Sequence, residues 1–346
     1  MGNNFILTFG KQPYNYINRF DYLNEIVESF DNVEPTEQSI IITGVRGSGK
    51  TVMLTVVTDY FDNKSDWIVV DLNPNNDLTE ELISKLYQNT KTKSLFRKID
   101  FGVSFQGFNL NIENDKPELS GDCIVEKMVE KLSKDKKILI TIDEATNTSS
   151  MKSFAHLFQS LIRKDYPIFL LMTGLYENIN EIQNNKTSTF LLRSKKLFLN
   201  SLDMTSITHS YKNIFDITIA DASKLAKLTC GYAFAYQLLG YLLQRNNKKI
   251  ADNDILIQYD EYLCQYVYEK LWNELTGVEK NILKQIKTQE SIKINELIKR
   301  CNSNSSYINL YKDRLIKKGI IFSPAYGHIC FSLPRFKEFI DIKSFD

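Results

Sequence analysis

Gly44-Val45-Arg46-Gly47-Ser48-Gly49-Lys50-Thr51 is the stretch whose residue types and spacing promise chemistry most directly. It fits G-x-x-x-x-G-K-[ST] and stands between an apolar run, Ser39–Thr43, and a helix-period run, Thr51–Phe61. Glycines at this spacing let the backbone curl so that successive N–H groups face a phosphate chain. A helix opening near Lys50 adds the positive end of its dipole. Lys50 is expected at the β- and γ-phosphates and the Thr51 hydroxyl on Mg²⁺, with Gly44, Arg46, Gly47, Ser48, Gly49 and Val52 around the nucleotide.

A second stretch, Ile138-Leu139-Ile140-Thr141-Ile142-Asp143-Glu144, ends an apolar run in two carboxylates. Asp143 suits a Mg²⁺-bound water, and Glu144 suits the general base that polarises the attacking water. Taken together the two stretches imply ATP as substrate, Mg²⁺ as cofactor and hydrolysis as the reaction. Asn63-Lys64-Ser65-Asp66 spells the N-K-x-D guanine-reading motif, but it precedes the second strand instead of following a late one. Asp143 is followed by Glu-Ala-Thr and no D-x-x-G is formed, so ATP is expected over GTP.

The elements that must hold these groups follow from the hydrophobic pattern. Ser39–Thr43, Trp67–Leu72, Lys137–Ile142, Ile168–Thr173 and Lys196–Leu199 are short and nearly continuously apolar, as strands buried on both faces of a parallel sheet are. Helix-period runs alternate with them at Thr51–Phe61, Thr79–Gln88, Cys123–Leu132 and Lys152–Arg163, which gives an α/β layered domain. Phe101–Ile112 alternates apolar and polar residues about Gly107 and reads as an inserted β-hairpin. From Ser201 to Trp272 only helix patterns occur, at Asp221–Leu228, Ala233–Gln244 and Ile255–Trp272. Beyond Glu279 three helix patterns precede two strands around Pro324-Ala325-Tyr326-Gly327, the order of a winged helix-turn-helix. The expected division is 1–200, 201–275 and 276–346.

Composition narrows the function classes. The chain has 346 residues, 43 basic and 42 acidic, for a net charge of +1. Thr276–Asp346 carries 13 Lys/Arg against seven Asp/Glu, a local +6, leaving −5 for residues 1–275. A basic end on an acidic body implies an anionic partner or a solvated lysine-rich surface. No apolar run approaches the roughly 20 residues of a membrane helix, and Met1–Lys11 has neither the basic start nor the apolar stretch of a secretion signal. Five scattered cysteines and three histidines form no zinc motif. A reduced, cytoplasmic protein without membrane or zinc is expected.

GVRGSGKT, ILITIDEA, the late strand PIFLLMTG, and FLLRSKKLFLNSL and GYAFAYQLLG after it resemble the AAA+-related ATPases. The nearest likeness is to the archaeal-type and STAND-like ATPases that lie near the origin-recognition initiators. The resemblance implies an ASCE/AAA+-like P-loop sheet domain, a helical lid and a C-terminal winged helix. It further implies that Pro13, Ile17 and Arg19 lie by the adenine and that Thr173 is the sensor-1 residue. Arg193 becomes an arginine finger acting in a neighbouring subunit, and Tyr232 a contact for the base. Gly231-Tyr232-Ala233 departs from the pattern, having neither the sensor-2 arginine nor a proline. In a winged helix, Ser305, Ser306, Asn309, Lys312, Arg314, Lys317, Lys318 and His328 would face double-stranded DNA. Three readings stay open. One is an ATPase whose nucleotide state controls DNA binding or assembly. Another is a signalling or defence switch with slow turnover whose winged helix meets a protein, and the last is a transcription factor without useful turnover.

Overall fold

The computed structural model describes residues 4–8, 10–92, 120–184, 189–286 and 291–344. The hairpin expected at 101–112 lies outside them. The first half runs α1 (Phe20–Asp31), β1 (Ser39–Thr43), α2 (Lys50–Asp62), β2 (Trp67–Leu72), α3 (Leu78–Gln88), α4 (Gly121–Leu132), β3 (Lys137–Ile142), α5 (Ser149–Ile162), β4 (Ile168–Gly174), α6 (Tyr176–Gln183), a 3₁₀ turn (Thr189–Arg193) and β5 (Lys195–Phe198). Then come α7 (Met204–Phe215), α8 (Ile219–Thr229), α9 (Ala233–Arg245), α10 (Asn253–Leu263), a π turn (Cys264–Tyr268) and α11 (Glu269–Asn273). The end is α12 (Gly277–Ile286), β6 (Ile292–Lys293), α13 (Ile294–Arg300), α14 (Ser305–Lys317), β7 (Ile321–Phe322), β8 (His328–Phe331) and α15 (Phe336–Ile342).

The chain divides into two compact units, one of Phe20–Thr43 with Met53–Leu197, the other of Met1–Arg19, Gly44–Val52 and Phe198–Asp346. In the first, five strands stand in the order β2-β3-β4-β1-β5, and β2 with β3, β3 with β4, and β1 with β4 are parallel. Alternation puts Ile68, Val70, Ile138, Ile140, Leu170 and Met172 on one face, against the apolar sides of α3, α4 and α5. The other face is aromatic. Trp67 and Phe169 lie 5.1 Å apart and pack against Phe61 of α2 and Phe30 of α1. Beneath this cluster Asp31 binds Lys64, Lys137 and the Trp67 indole N–H. Burial pushes the Asp31 carboxyl up, but these three donors outweigh it and hold it below its ordinary value. Lys64, from the N-K-x-D stretch, therefore serves this ion pair at the amino ends of β2 and β3, opposite their Asp143 end.

The second unit is built on the α7–α11 helices, whose core continues into α12–α15 and the sheet β6-β8-β7. Its least expected part is the amino-terminal segment. Phe5 is wholly buried among Tyr211, Phe215 and Tyr236, 5.6–6.0 Å away. It fits because residue 240 is glycine: a Cβ there would lie 2.4 Å from the Phe5 ring. Gln244 and Gln237 of α9 accept the backbone N–H groups of Asn4 and Ile6. In α12–α15, Glu279 accepts from the Thr276 N–H (2.8 Å) and pairs with the half-sheltered Lys318 (2.8 Å). Against the rise that burial alone would cause, these partners hold its carboxyl low.

Phe5→Ala should leave an emptied aromatic seat and cost about 3–5 kcal/mol, read as a lower midpoint of urea denaturation. Gly240→Leu should be at least as damaging, since the ring and the new side chain claim one space.

Candidate nucleotide site

The loop 44–49 is shaped by two residues with left-handed backbone, Gly47 (φ 75°) and Gly49 (φ 94°), conformations that side chains resist. A turn from Ser48 N–H to Val45 O (3.1 Å) closes it. Lys50, nearly buried, donates from Nζ to the carbonyls of Gly44 (3.0 Å) and Val45 (3.1 Å), so its ammonium is held across the loop. Thr51 and Val52 follow in the first turn of α2, half-exposed. Arg19 donates to the carbonyls of Ser48 and Asn200, both at 2.9 Å. Pro13 is buried. The three amino-terminal residues expected beside an adenine thus include one, Arg19, that braces the loop backbone.

Residues 232–234, at the start of α9, grip this loop from outside. The Tyr232 hydroxyl donates to the Arg46 carbonyl, and a Cβ on Gly47 would lie 2.1 Å from that hydroxyl. The Phe234 N–H donates to Gly47 O at 3.1 Å. Tyr232 is 4% exposed, and burial pushes its phenol far up, with Arg46 only partly opposing, so it stays a neutral donor. Expected at a base, Tyr232 is instead a clamp on the loop, because its ring is enclosed and its hydroxyl is engaged there. The Arg46 side chain reaches Glu274 at 3.3 Å, beyond the end of α11. Gly319, after α14, lies against Val45: a Cβ there would be 3.2 Å from the Val45 Cβ. Two buried atoms of the loop, Ser48 Oγ and Arg46 Nε, have no hydrogen-bond partner among the described residues.

In the other unit, Asp143 follows β3 and Thr173 is the penultimate residue of β4, both at the carboxyl ends of parallel strands, where open α/β sheets bind ligands. Thr173 is fully buried. Its hydroxyl donates to Asp143 Oδ1 and accepts the Glu144 N–H at 3.0 Å. One side chain therefore fixes both Asp143 and the backbone of Glu144. Glu144 takes φ 52°, a region costing a non-glycine residue about 1 kcal/mol or more, and its side chain is exposed. Alongside, Thr141 donates to Asp71 of β2 at 2.9 Å; Asp71 was not foreseen, since a lone acid near a strand end gives no pattern. Arg193 ends the 3₁₀ turn before β5 and is exposed. Among the described residues, no group of three or more His, Cys, Asp or Glu could hold a metal ion by themselves.

The carboxyl-terminal candidates separate. Ser305, Ser306, Arg314 and Lys317 are exposed on α14. Lys312 is bound to Asp313 (3.2 Å) and to Asn309 (3.1 Å). Lys318 is a correction: with 13% side-chain exposure it turns inward to Glu279 and is no surface phosphate contact. His328 is half-buried, its Nδ1 3.1 Å from the Tyr326 carbonyl.

Residues 33–182 match the family described as AAA domain, and residues 265–340 match a domain of unknown function, DUF8462. No curated protein matches the sequence. Among solved structures, the Walker-type ATPase of Pyrococcus abyssi is similar over 97% of this chain and 99% of its own, at 14% identity and a TM-score of 0.66. The Aeropyrum pernix ORC2 protein, described in ADPNP–ADP complexes, is similar over 97% and 96%, at 13% identity and a TM-score of 0.58.

Thr173→Val keeps the shape but removes bonds to a charged group worth about 1.5–3 kcal/mol. The midpoint of urea denaturation should fall accordingly, with circular dichroism unchanged below the transition. Residues 33–182 thus resemble an AAA domain, and the chain shares the fold of the Pyrococcus abyssi Walker-type ATPase and the Aeropyrum pernix ORC2 protein.

Proposed function

We propose that the protein binds ATP with Mg²⁺, hydrolyses it slowly as a monomer, and passes the nucleotide state to its carboxyl-terminal module. The observation that carries this reading is the grip on the phosphate loop: Tyr232 and Phe234 hold Arg46 and Gly47, and Gly319 lies on Val45. A ligand that reshapes residues 45–47 must move these contacts. The unpartnered Ser48 hydroxyl fits a phosphate oxygen, and the ADPNP–ADP complexes of the Aeropyrum protein support an adenine nucleotide.

Lys50 and the loop N–H groups would carry the phosphates, and Thr51 and Asp143 are the residues that would hold Mg²⁺, which would supply positive charge against the developing negative charge. Glu144 takes the proton of the attacking water, and Thr173 keeps Asp143 and Glu144 in place. Arg193, exposed, is the finger offered to a neighbouring subunit. Such a residue is worth roughly 10³–10⁵ in rate, which is why turnover is slow until chains assemble.

Three helices with the sheet β6-β8-β7 follow the order of a winged helix, and we assign this module as the output. Duplex DNA as its partner is favoured by the local +6 and by Ser305, Ser306, Arg314 and Lys317. A protein partner is favoured by the open surface of α14 itself, where Leu310 is 51% exposed and Asp313, also exposed, would oppose phosphates.

Lys50→Ala should abolish binding of a fluorescent ATP analogue, whereas Glu144→Gln should bind it and release no phosphate. Wild-type turnover per chain should rise with protein concentration, and Arg193→Ala should remove that rise; a rise that survives the substitution refutes the finger. A duplex mobility shift that weakens steeply with salt supports DNA as the partner, and its absence at low salt leaves the protein reading.

A further inference from the structure

We infer that the outer face of α14 docks on the acidic α1 surface of a second copy of this chain, head to tail. This rests on the reading of the carboxyl-terminal module as a contact element, and not on hydrolysis.

The first surface is a preformed row on α14. Tyr307 meets Tyr311 edge-on at 4.9 Å, and the Arg314 guanidinium lies over the Tyr311 ring at 5.2 Å. The spacing i, i+4, i+7 stacks these three along one side of the helix, and Leu310 stands exposed beside them. Aromatic, arginine and leucine side chains already braced by each other lose little freedom on docking, and tyrosine and arginine are the usual anchors of protein contacts. Arg314 makes no ion pair among the described residues. The module around it is basic.

The second surface is the reverse in charge and alike in character. Residues 20–38 contain six acidic side chains and not one Lys, Arg or His. Lys195 pairs with Glu25, and Lys64 and Lys137 pair with Asp31. Asp21, Glu28 and Glu34 are exposed and have no ion-pair partner among the described residues. Asp21, Asn24 and Glu28 share one side of α1. Exposed apolar groups flank them: Phe20 at 60% and Val33 at 101%. Each surface thus offers uncovered apolar side chains beside unpaired charges, Arg314 on one and Asp21, Glu28 and Glu34 on the other, and these are opposite in sign; Asp313 on α14 is already paired with Lys312. Because the two surfaces are different, the contact is heterologous and propagates into a ring or a filament instead of closing as a two-fold dimer.

The test is sedimentation velocity on the full chain at micromolar concentration, in low and high salt (about 50 and 500 mM). Wild type should sediment as two or more chains at low salt and dissociate at high salt. Arg314→Glu alone, and the double variant Glu28→Lys/Glu34→Lys alone, should each be monomeric, at least tenfold weaker in association. Mixed in equal amounts they should form a one-to-one pair, since the mixture contains one intact α14 face and one intact α1 face. Leu310→Ser should weaken assembly likewise, and circular dichroism checks that each variant is folded. Repeating the mixture in a Lys50→Ala background separates the two proposals: pairing there upholds the contact even if ATP binding is lost. A monomeric wild type, a mixture that stays monomeric, or a duplex DNA bound through Arg314 by a chain that remains monomeric overturns the inference.

Discussion

The hydrogen bond from the Tyr232 hydroxyl to the Arg46 carbonyl, in the space where Gly47 lacks a side chain, is the constraint around which the phosphate loop is arranged. A phosphate loop needs its N–H groups turned to one side, so its carbonyls must be satisfied elsewhere. Here each carbonyl from Gly44 to Ser48 has a named partner. Gly44 and Val45 accept from Lys50, Arg46 from Tyr232, Gly47 from the Phe234 N–H and Ser48 from Arg19. Three of these donors come from outside the motif, so the loop's shape is a property of the lid and the amino-terminal segment as much as of the glycines.

This accounts for the missing sensor arginine. In place of an arginine this chain has Gly231-Tyr232-Ala233, and it meets the loop through the neutral Tyr232 phenol and the Phe234 N–H. A charge would sense phosphate over distance, whereas a buried hydroxyl senses only the position of the carbonyl it binds. In the function proposed above, the coupling is then mechanical, through residues 45–47, and ends at Glu274 and Gly319.

The catalytic loop and the sheet were legible in the sequence because each rests on a local pattern. Three of the five strands, β1, β2 and β3, have the expected bounds, β4 gains Gly174, and β5 is shifted by one residue. Such agreement follows from continuous apolar runs bounded by polar residues. Helices α1, α7 and α15 were not foreseen. The long run Ile255–Trp272 is one continuous path of helix, yet it is interrupted by a π turn at Cys264–Tyr268. That turn brings Tyr268 to the Pro334 carbonyl and the Phe336 ring, contacts too distant in sequence for periodicity to reveal. The same holds for Phe5 and for Lys318: one apolar residue near an end, or one lysine among several, shows its role only when its distant neighbour is known. Thr173 was named through family likeness, but its two hydrogen bonds give the physical reason.

The seat of Phe5 also bears on how the chain is made. Its unit is discontinuous, gathering residues 4–19, the phosphate loop and everything beyond Phe198. Phe5 leaves the ribosome some 200 residues ahead of Tyr211, Tyr236 and Gly240, which form its seat. The sheet unit, complete by Leu197, has its full complement of residues while the phosphate loop still lacks Tyr232 and Phe234. Closing contacts so far apart in sequence is entropically late. A nascent chain therefore passes through a stage with a finished sheet and an unbraced loop, and the loop gains its outer contacts only once synthesis has supplied Tyr232 and Phe234.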